Sequence, residues 1–195
     1  LPMIDSLLLS IPPGRFLLMT IETIFPRLKR TCESERFEAV LRSGSIPGSI
    51  PQLADIDWAM IGDLLPWIVV VDPDATYGTL RFVSAGVRLA AALGCEPIGL
   101  DYLEFVDPAI KGEAFDSTFL MLNRPCGLWQ ISPALTRDGG RVRLEYTGYP
   151  VFDHDIGRGL IVGYVQQKGS LVSPIVSVQK STEWNWLEMR NRPER

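Results

Sequence analysis

The sequence predicts an α+β domain: a five-stranded antiparallel sheet with short helices on one face, extended by helical segments at both ends. Three observations carry this. From Cys126 onward the apolar period is two, through long segments joined by turn residues. Upstream of Cys126 the period is that of helices, but only in short stretches. The 15 prolines and 17 glycines punctuate the chain too often for a long helical bundle.

Residues 1–33 are the least domain-like part and are expected to form a poorly ordered tail. Leu7–Ile11 and Phe16–Met19 are apolar, but Pro12-Pro13-Gly14 divides them. No Lys or Arg precedes Arg15, so the basic leader of a secretory signal is missing. Neither run approaches the roughly 20 apolar residues of a membrane span. A natural start at Met19 is one reading of this segment, and a membrane-associating arm is the other.

Residues 34–54 read as an N-terminal helix and linker. Ser34 to Gly44 is amphipathic, with Phe37, Val40 and Leu41 on one side. Ser43 to Pro51 suits an extended connector, since its prolines forbid a continuing helix. Asp55 or Asp57 caps a short helix bearing Trp58 and Ile61. Trp67–Val71 is a continuous apolar strand, and Asp72-Pro73-Asp74 is turn chemistry.

Leu80 to Asp107 organises the centre of the chain. Leu80–Val83 has strand composition, Ser84 is the expected helix cap, and Val87, Leu89, Ala90, Ala91 and Leu93 supply an apolar face. Gly94 suits the left-handed residue that closes a helix. Gly99 permits a turn before Leu100, Tyr102, Leu103, Phe105 and Val106. A longer helix starts at Pro108 and buries Ile110, Ala114, Phe115, Thr118, Phe119 and Leu122. Leu128–Thr136, Arg141–Phe152 and Leu160–Gln167 follow as an antiparallel meander, turned by Arg137–Gly140 and Asp153–Gly159. In the middle strand Val142, Leu144 and Tyr146 face one way, and Arg141, Arg143, Glu145 and Thr147 the other. Ser181 to Arg195 reads as a short helix with Trp184, Leu187 and Trp186 on one side. That side either meets a partner or folds back on the sheet.

The chemistry-bearing residues are sparse. A net charge of −4 over 195 residues gives no electrostatic reason to expect nucleic-acid binding. Cys32, Cys95 and Cys126 are too far apart for a disulfide framework or metal pair, which favours a reducing, cytoplasmic compartment. Gly94 to Gly99 has phosphate-loop spacing, but Leu100-Asp101 follows it and a helix precedes it. The single histidine, His154, lies between two aspartates in a turn, a poor place for a ligand or a triad base. Asp72/Asp74 and Asp153/Asp155 also sit in turns, where Asp serves local backbone bonding. No enzymatic activity is expected on these grounds.

From about Asp55 to Lys168 the chain resembles a PAS domain. The matching features are Leu65-Pro66-Trp67-Ile68-Val69-Val70-Val71-Asp72 as first strand, Arg81-Phe82-Val83-Ser84-Ala85-Gly86 into the first helix, and Leu93-Gly94-Cys95-Glu96-Pro97-Ile98-Gly99-Leu100 as the glycine-bounded turn. The bacterial variant it is most similar to has an N-terminal amphipathic helix, a proline linker and an Asp-Ile-Asp segment; here these are Phe37–Gly44, Ser45–Pro51 and Asp55-Ile56-Asp57. The resemblance implies a sensor or protein-interaction module with a cavity between sheet and helices. Phe82, Leu103, Phe105, Phe115, Phe119, Leu122, Trp129, Tyr146 and Tyr164 are the expected lining for a small apolar or aromatic ligand. The competing reading is that these side chains simply fill a close-packed core. The resemblance also implies a homodimer through the N-terminal helix, with Phe37, Val40 and Leu41 at the interface; Trp184 and Leu187, read from their own spacing, are a second candidate contact. No cofactor is expected. An axial histidine for haem is missing from the long helix, and Gly-Cys-Glu-Pro-Ile-Gly lacks the Asn, Arg and Gln of a flavin site. Cys126 reads as a small buried residue, not a chromophore thiol. An isomerase-type enzyme and a ligand-free scaffold remain the alternatives.

Overall fold

A computed structural model describes residues 30–44, 46, 48–170 and 173–189. Residues 1–29 of the tail expected over 1–33, the start at Met19 and the last residues of the C-terminal segment lie outside the described residues. Among the described residues three α-helices, α1 (Cys32–Ser43), α2 (Val87–Leu93) and α3 (Lys111–Asn123), and several single 3₁₀ turns surround one antiparallel sheet. Its strands are β1 (Ile68–Asp74), β2 (Thr79–Ala85), β3 (Cys126–Thr136), β4 (Arg141–Asp153), β5 (Arg158–Lys168), β6 (Ile175–Val178) and β7 (Glu183–Glu188). The spatial order is β2-β1-β5-β4-β3-β6, with β7 also on β3. The sheet is therefore seven-stranded, not five-stranded.

Of the two added strands, β7 stands where the C-terminal helix was expected, and β6 precedes it. Trp184-Asn185-Trp186-Leu187 fits either period over so short a window, and the open edge of β3 decides between them. β6 pairs with one end of that edge (Ala134↔Val178) and β7 with the other (Gln130↔Trp184, Leu128↔Trp186), satisfying backbone groups that an edge would leave bare. Residues 173–189 thus complete the domain.

The helices also cover both faces of the sheet, where coverage of one was expected. On the first face α2, α3 and the Tyr102–Phe105 turn pack over Val69, Val71, Leu80, Phe82, Leu128, Leu144 and Ile161. On the second, α1 and the turns around Ile56 and Ile61 pack over Trp129, Ile131, Tyr149, Val151, Val162 and Tyr164. Phe37 and Leu41 are fully buried there and Val40 nearly so. The helix face expected to meet a second copy is occupied by the chain's own sheet. Leu187 belongs to the same outer cluster, while Trp184 stays exposed.

Polar contacts fix α1 in place. Thr31 caps it, its Oγ1 accepting from the Ser34 N–H at 3.3 Å, so this helix begins ahead of the expected Ser34. Glu145, 1% exposed, accepts from the Thr31 N–H at 3.0 Å and the Trp129 indole N–H at 2.9 Å, with Lys168 Nζ at 3.2 Å. Burial alone pushes this carboxyl up, but these donors outweigh it and hold the group below the usual carboxylate range. Ser34 Oγ meets Thr147 Oγ1 at 2.5 Å. Glu38 pairs with Arg30 and Arg42 beside Tyr149, whose buried phenol is pushed up by desolvation and by that carboxylate.

Glycines set two close approaches. Gly86, not Ser84, precedes α2, and a Cβ there would stand 2.3 Å from Leu65 O and Pro66 C. Gly94 ends α2 at φ 69°, as its sequence position predicts.

Candidate ligand cavity

Between the first face of the sheet and its helices lies a cavity of about 310 Å³. Its floor is built by strand parity, since alternate residues share a face. Leu128, Gln130 and Ser132 of β3, Leu144 and Tyr146 of β4, Ile161 and Val165 of β5, and Val69 and Val71 of β1 all face it. Its roof is Leu89, Ala92 and Leu93 of α2, Tyr102 and Phe105, and the stripe Ala114, Ser117, Thr118 and Met121 of α3. Glu113, Lys180 and Trp184 line it too. All three are exposed, so they mark the end that reaches solvent.

The floor is made by two glycines. Gly148 and Gly163 face each other across β4 and β5, leaving a gap in the carpet of side chains. Tyr146 lies down in it. A Cβ on Gly148 would stand 2.0 Å from the Tyr146 hydroxyl, and one on Gly163 2.5 Å from Tyr146 Cε2. One ring face is pressed to the backbone, so the other is turned to the cavity that the residue lines.

The roof is positioned by Asp101, whose Oδ1 accepts from the Leu80 N–H at 2.9 Å and the Leu103 N–H at 3.1 Å. This pins the Tyr102–Phe105 turn to β2, and Tyr102 and Phe105 each meet Phe82 edge-on at 6.0 Å between centroids.

The polar groups of the wall are few. Ser181 Oγ donates to Gln130 Oε1 at 2.9 Å and lies 3.0 Å from Ser132 Oγ. Gln130 is the cross-strand partner of both Tyr146 and Trp184, so Trp184, Gln130 and Tyr146 form one row across the sheet. Burial pushes the Tyr102 phenol up to about 12. The Tyr146 phenol is raised further, by burial and then by the nearby Tyr102. Both stay protonated at neutral pH. At the mouth Lys180 Nζ and Glu113 Oε1 pair at 2.9 Å. Among the described residues no cluster of His, Cys, Asp and Glu is arranged to hold a metal ion, and no helix is long and apolar enough to cross a membrane.

Of the expected lining, Phe82, Phe105 and Tyr146 face the cavity. Leu103, Phe115, Phe119 and Leu122 pack in the core behind it. Phe115 and Phe119 meet at 4.7 Å between centroids, tilted by 44°, and Leu122 covers Gly159, one helical stripe away from the cavity-facing one. Trp129 and Tyr164 are on the wrong face for lining. The register places Trp129 and Tyr164 each opposite Thr147, and that row lies under α1. A one-residue parity error moves a side chain through the sheet. Tyr102, Gln130, Ser132, Trp67 and Trp186 also line the cavity without having been anticipated. Gln130 and Ser132 carried a signal: two polar residues in the apolar register Leu128, Gln130, Ser132, Ala134. Gly148 and Gly163 carried another, since glycine inside a strand marks a close approach. His154 is an exposed turn residue, edge-on to Phe152.

No protein-family model and no curated protein matches this sequence. Among solved structures, the chain is similar to the PAS domain of a protein from Colwellia psychrerythraea, with 11% identity and a TM-score of 0.41 over 56% of this chain and 95% of that one. It is also similar to an RNA-binding light-oxygen-voltage receptor, with 16% identity and a TM-score of 0.39 over 62% of this chain; the match spans only 36% of that receptor's length. Two strands, short helices, then a long antiparallel meander closing over a cavity: with that order of elements and that strand pairing, the fold is PAS-like.

Proposed function

We propose that this chain is a sensory or regulatory module whose cavity binds a small ligand and whose sheet passes the occupancy to α1. The observation that carries the reading is the cavity itself. Its 310 Å³ falls at the small end of the range typical of ligand sites, about 300–1,000 Å³. A mostly apolar wall with a few inward polar groups is the usual makeup of such a site. The coupling follows from the architecture. β4 and β5 carry Tyr146 and Ile161 on the cavity face, and Glu145, Thr147 and Tyr164 under α1 on the other. A ligand that favours one curvature of those strands changes the hold on α1, by as much as its affinity differs between the two states.

The isomerase alternative has one observation in its favour, the pair of phenols inside the cavity with raised pKa. The rise comes from burial, which makes them donors locked in the protonated form. Among the described residues a general base with a pKa near neutrality has no candidate beside them: the lining carboxylate, Glu113, is exposed and paired with Lys180. Binding is the better use of such donors. Native mass spectrometry of the freshly purified full chain tests the proposal. A retained small molecule of one mass, released on denaturation, is expected; a chain that stays empty after exposure to extracts and small aromatic libraries would reduce the module to a scaffold.

A further inference from the structure

The wall chemistry narrows the ligand beyond its size. The volume is roughly twice that of a 150 Å³ cavity that takes up benzene, which corresponds to about two fused rings. The Tyr146 ring, held flat on Gly148 and Gly163, offers a planar stacking surface. Among the described residues neither the Tyr102 nor the Tyr146 hydroxyl makes a hydrogen bond within the chain, and one end of the Gln130 amide is spent on Ser181 while the other is left over. These groups sit together: Gln130 is opposite Tyr146, and Tyr102 is near enough to Tyr146 to influence its ionisation. Among the described residues no charged side chain lines the deep part of the cavity, and the two at the mouth neutralise each other. An ionised group carried inside would therefore stay unpaired, at a large desolvation cost.

We infer that the cavity takes an uncharged, planar compound of one or two fused aromatic rings bearing a hydroxyl or carbonyl group, stacked on Tyr146 and hydrogen-bonded by Tyr102 and Gln130. This rests on the reading of the cavity as a ligand site. Three probes of equal ring size separate the two claims in calorimetric titrations of the full chain: β-naphthol, naphthalene and β-naphthoate. β-Naphthol is expected to bind about tenfold more tightly than naphthalene, the size of one net hydrogen bond, and β-naphthoate to bind most weakly. In a Tyr102→Phe variant, which keeps the ring, naphthalene affinity should hold while the preference for β-naphthol shrinks to within about threefold. Equal binding of β-naphthol and naphthalene, a preference that survives the Tyr102→Phe substitution, or tightest binding of β-naphthoate overturns the chemical assignment while leaving a ligand cavity. Failure of all three probes to bind removes the cavity reading itself.

Discussion

Glu145 shows how a buried charge is made tolerable. A carboxylate with almost no exposure persists because a backbone N–H, an indole N–H and an ammonium all point at it. Its folded pKa lies below the unfolded value of about 4.3, so its contribution to stability is complete above that value and is lost as pH falls through the folded one. Glu145→Gln should therefore cost about 2 kcal/mol at neutral pH and flatten the acid limb of a stability–pH curve measured by urea denaturation. A wild-type-like slope below pH 5 in the variant would refute this role. Asp72, pushed up by burial despite Arg158, works in the opposite sense and is unchanged in the comparison. Glycine positions make equally sharp claims. Gly86→Ala places a methyl 2.3 Å from the backbone of Leu65 and Pro66, and should cost about 3 kcal/mol in denaturant melts. Gly148→Ala must lift the Tyr146 ring into the cavity; β-naphthol affinity should fall about tenfold or more, and a variant that binds normally would mean the ring is not the floor. Arg143→Ala, on an exposed position, should stay within about 0.5 kcal/mol.

At the scale of elements, α1 is the instructive case. Its amphipathic pattern is plain in the sequence, and so is the set Phe37, Val40 and Leu41. Which surface that stripe would meet is not. A second copy and the chain's own sheet are equivalent to an apolar stripe, and only the outward register of Trp129, Tyr164, Tyr149 and Val162 shows that the sheet supplies the match. Phe37→Ala should consequently destabilise the folded chain itself by about 4 kcal/mol, read from chemical denaturation. A loss below about 1 kcal/mol would mean that the helix does not dock on the sheet as described. Thr31→Ala removes the cap and should cost about 1 kcal/mol. The C-terminal segment teaches the complementary lesson. Its two tryptophans and Leu187 satisfy a helical spacing, but a free edge of β3 is a stronger partner than solvent for six residues that cannot sustain an isolated helix.

For the molecule as a whole, the sheet is the shared element between two packed layers, a cavity-bearing one and a sealed one. Occupancy of the first should be felt by the second only if the strands have two arrangements that differ in how they hold α1. Hydrogen exchange can see this: saturating β-naphthol should increase protection of amides in Cys32–Ser43 as well as in the strands lining the cavity. Protection confined to β3, β4 and β5 would separate ligand binding from any signal through the helix. Ligand binding should also raise Tm in proportion to the logarithm of ligand concentration.

The order of elements from α1 to β5, the two-residue period of the meander and the glycine stop at Gly94 were legible in the residues alone, because each depends on local propensity and periodicity. The sheet's edges, the face on which Trp129 and Tyr164 stand, and the Tyr146 floor over Gly148 and Gly163 were decided by tertiary structure. Those depend on which strand lies beside which and in what register. Strand pairing is a long-range choice: a side chain's alternation says that it has a face, and only its neighbours say which one.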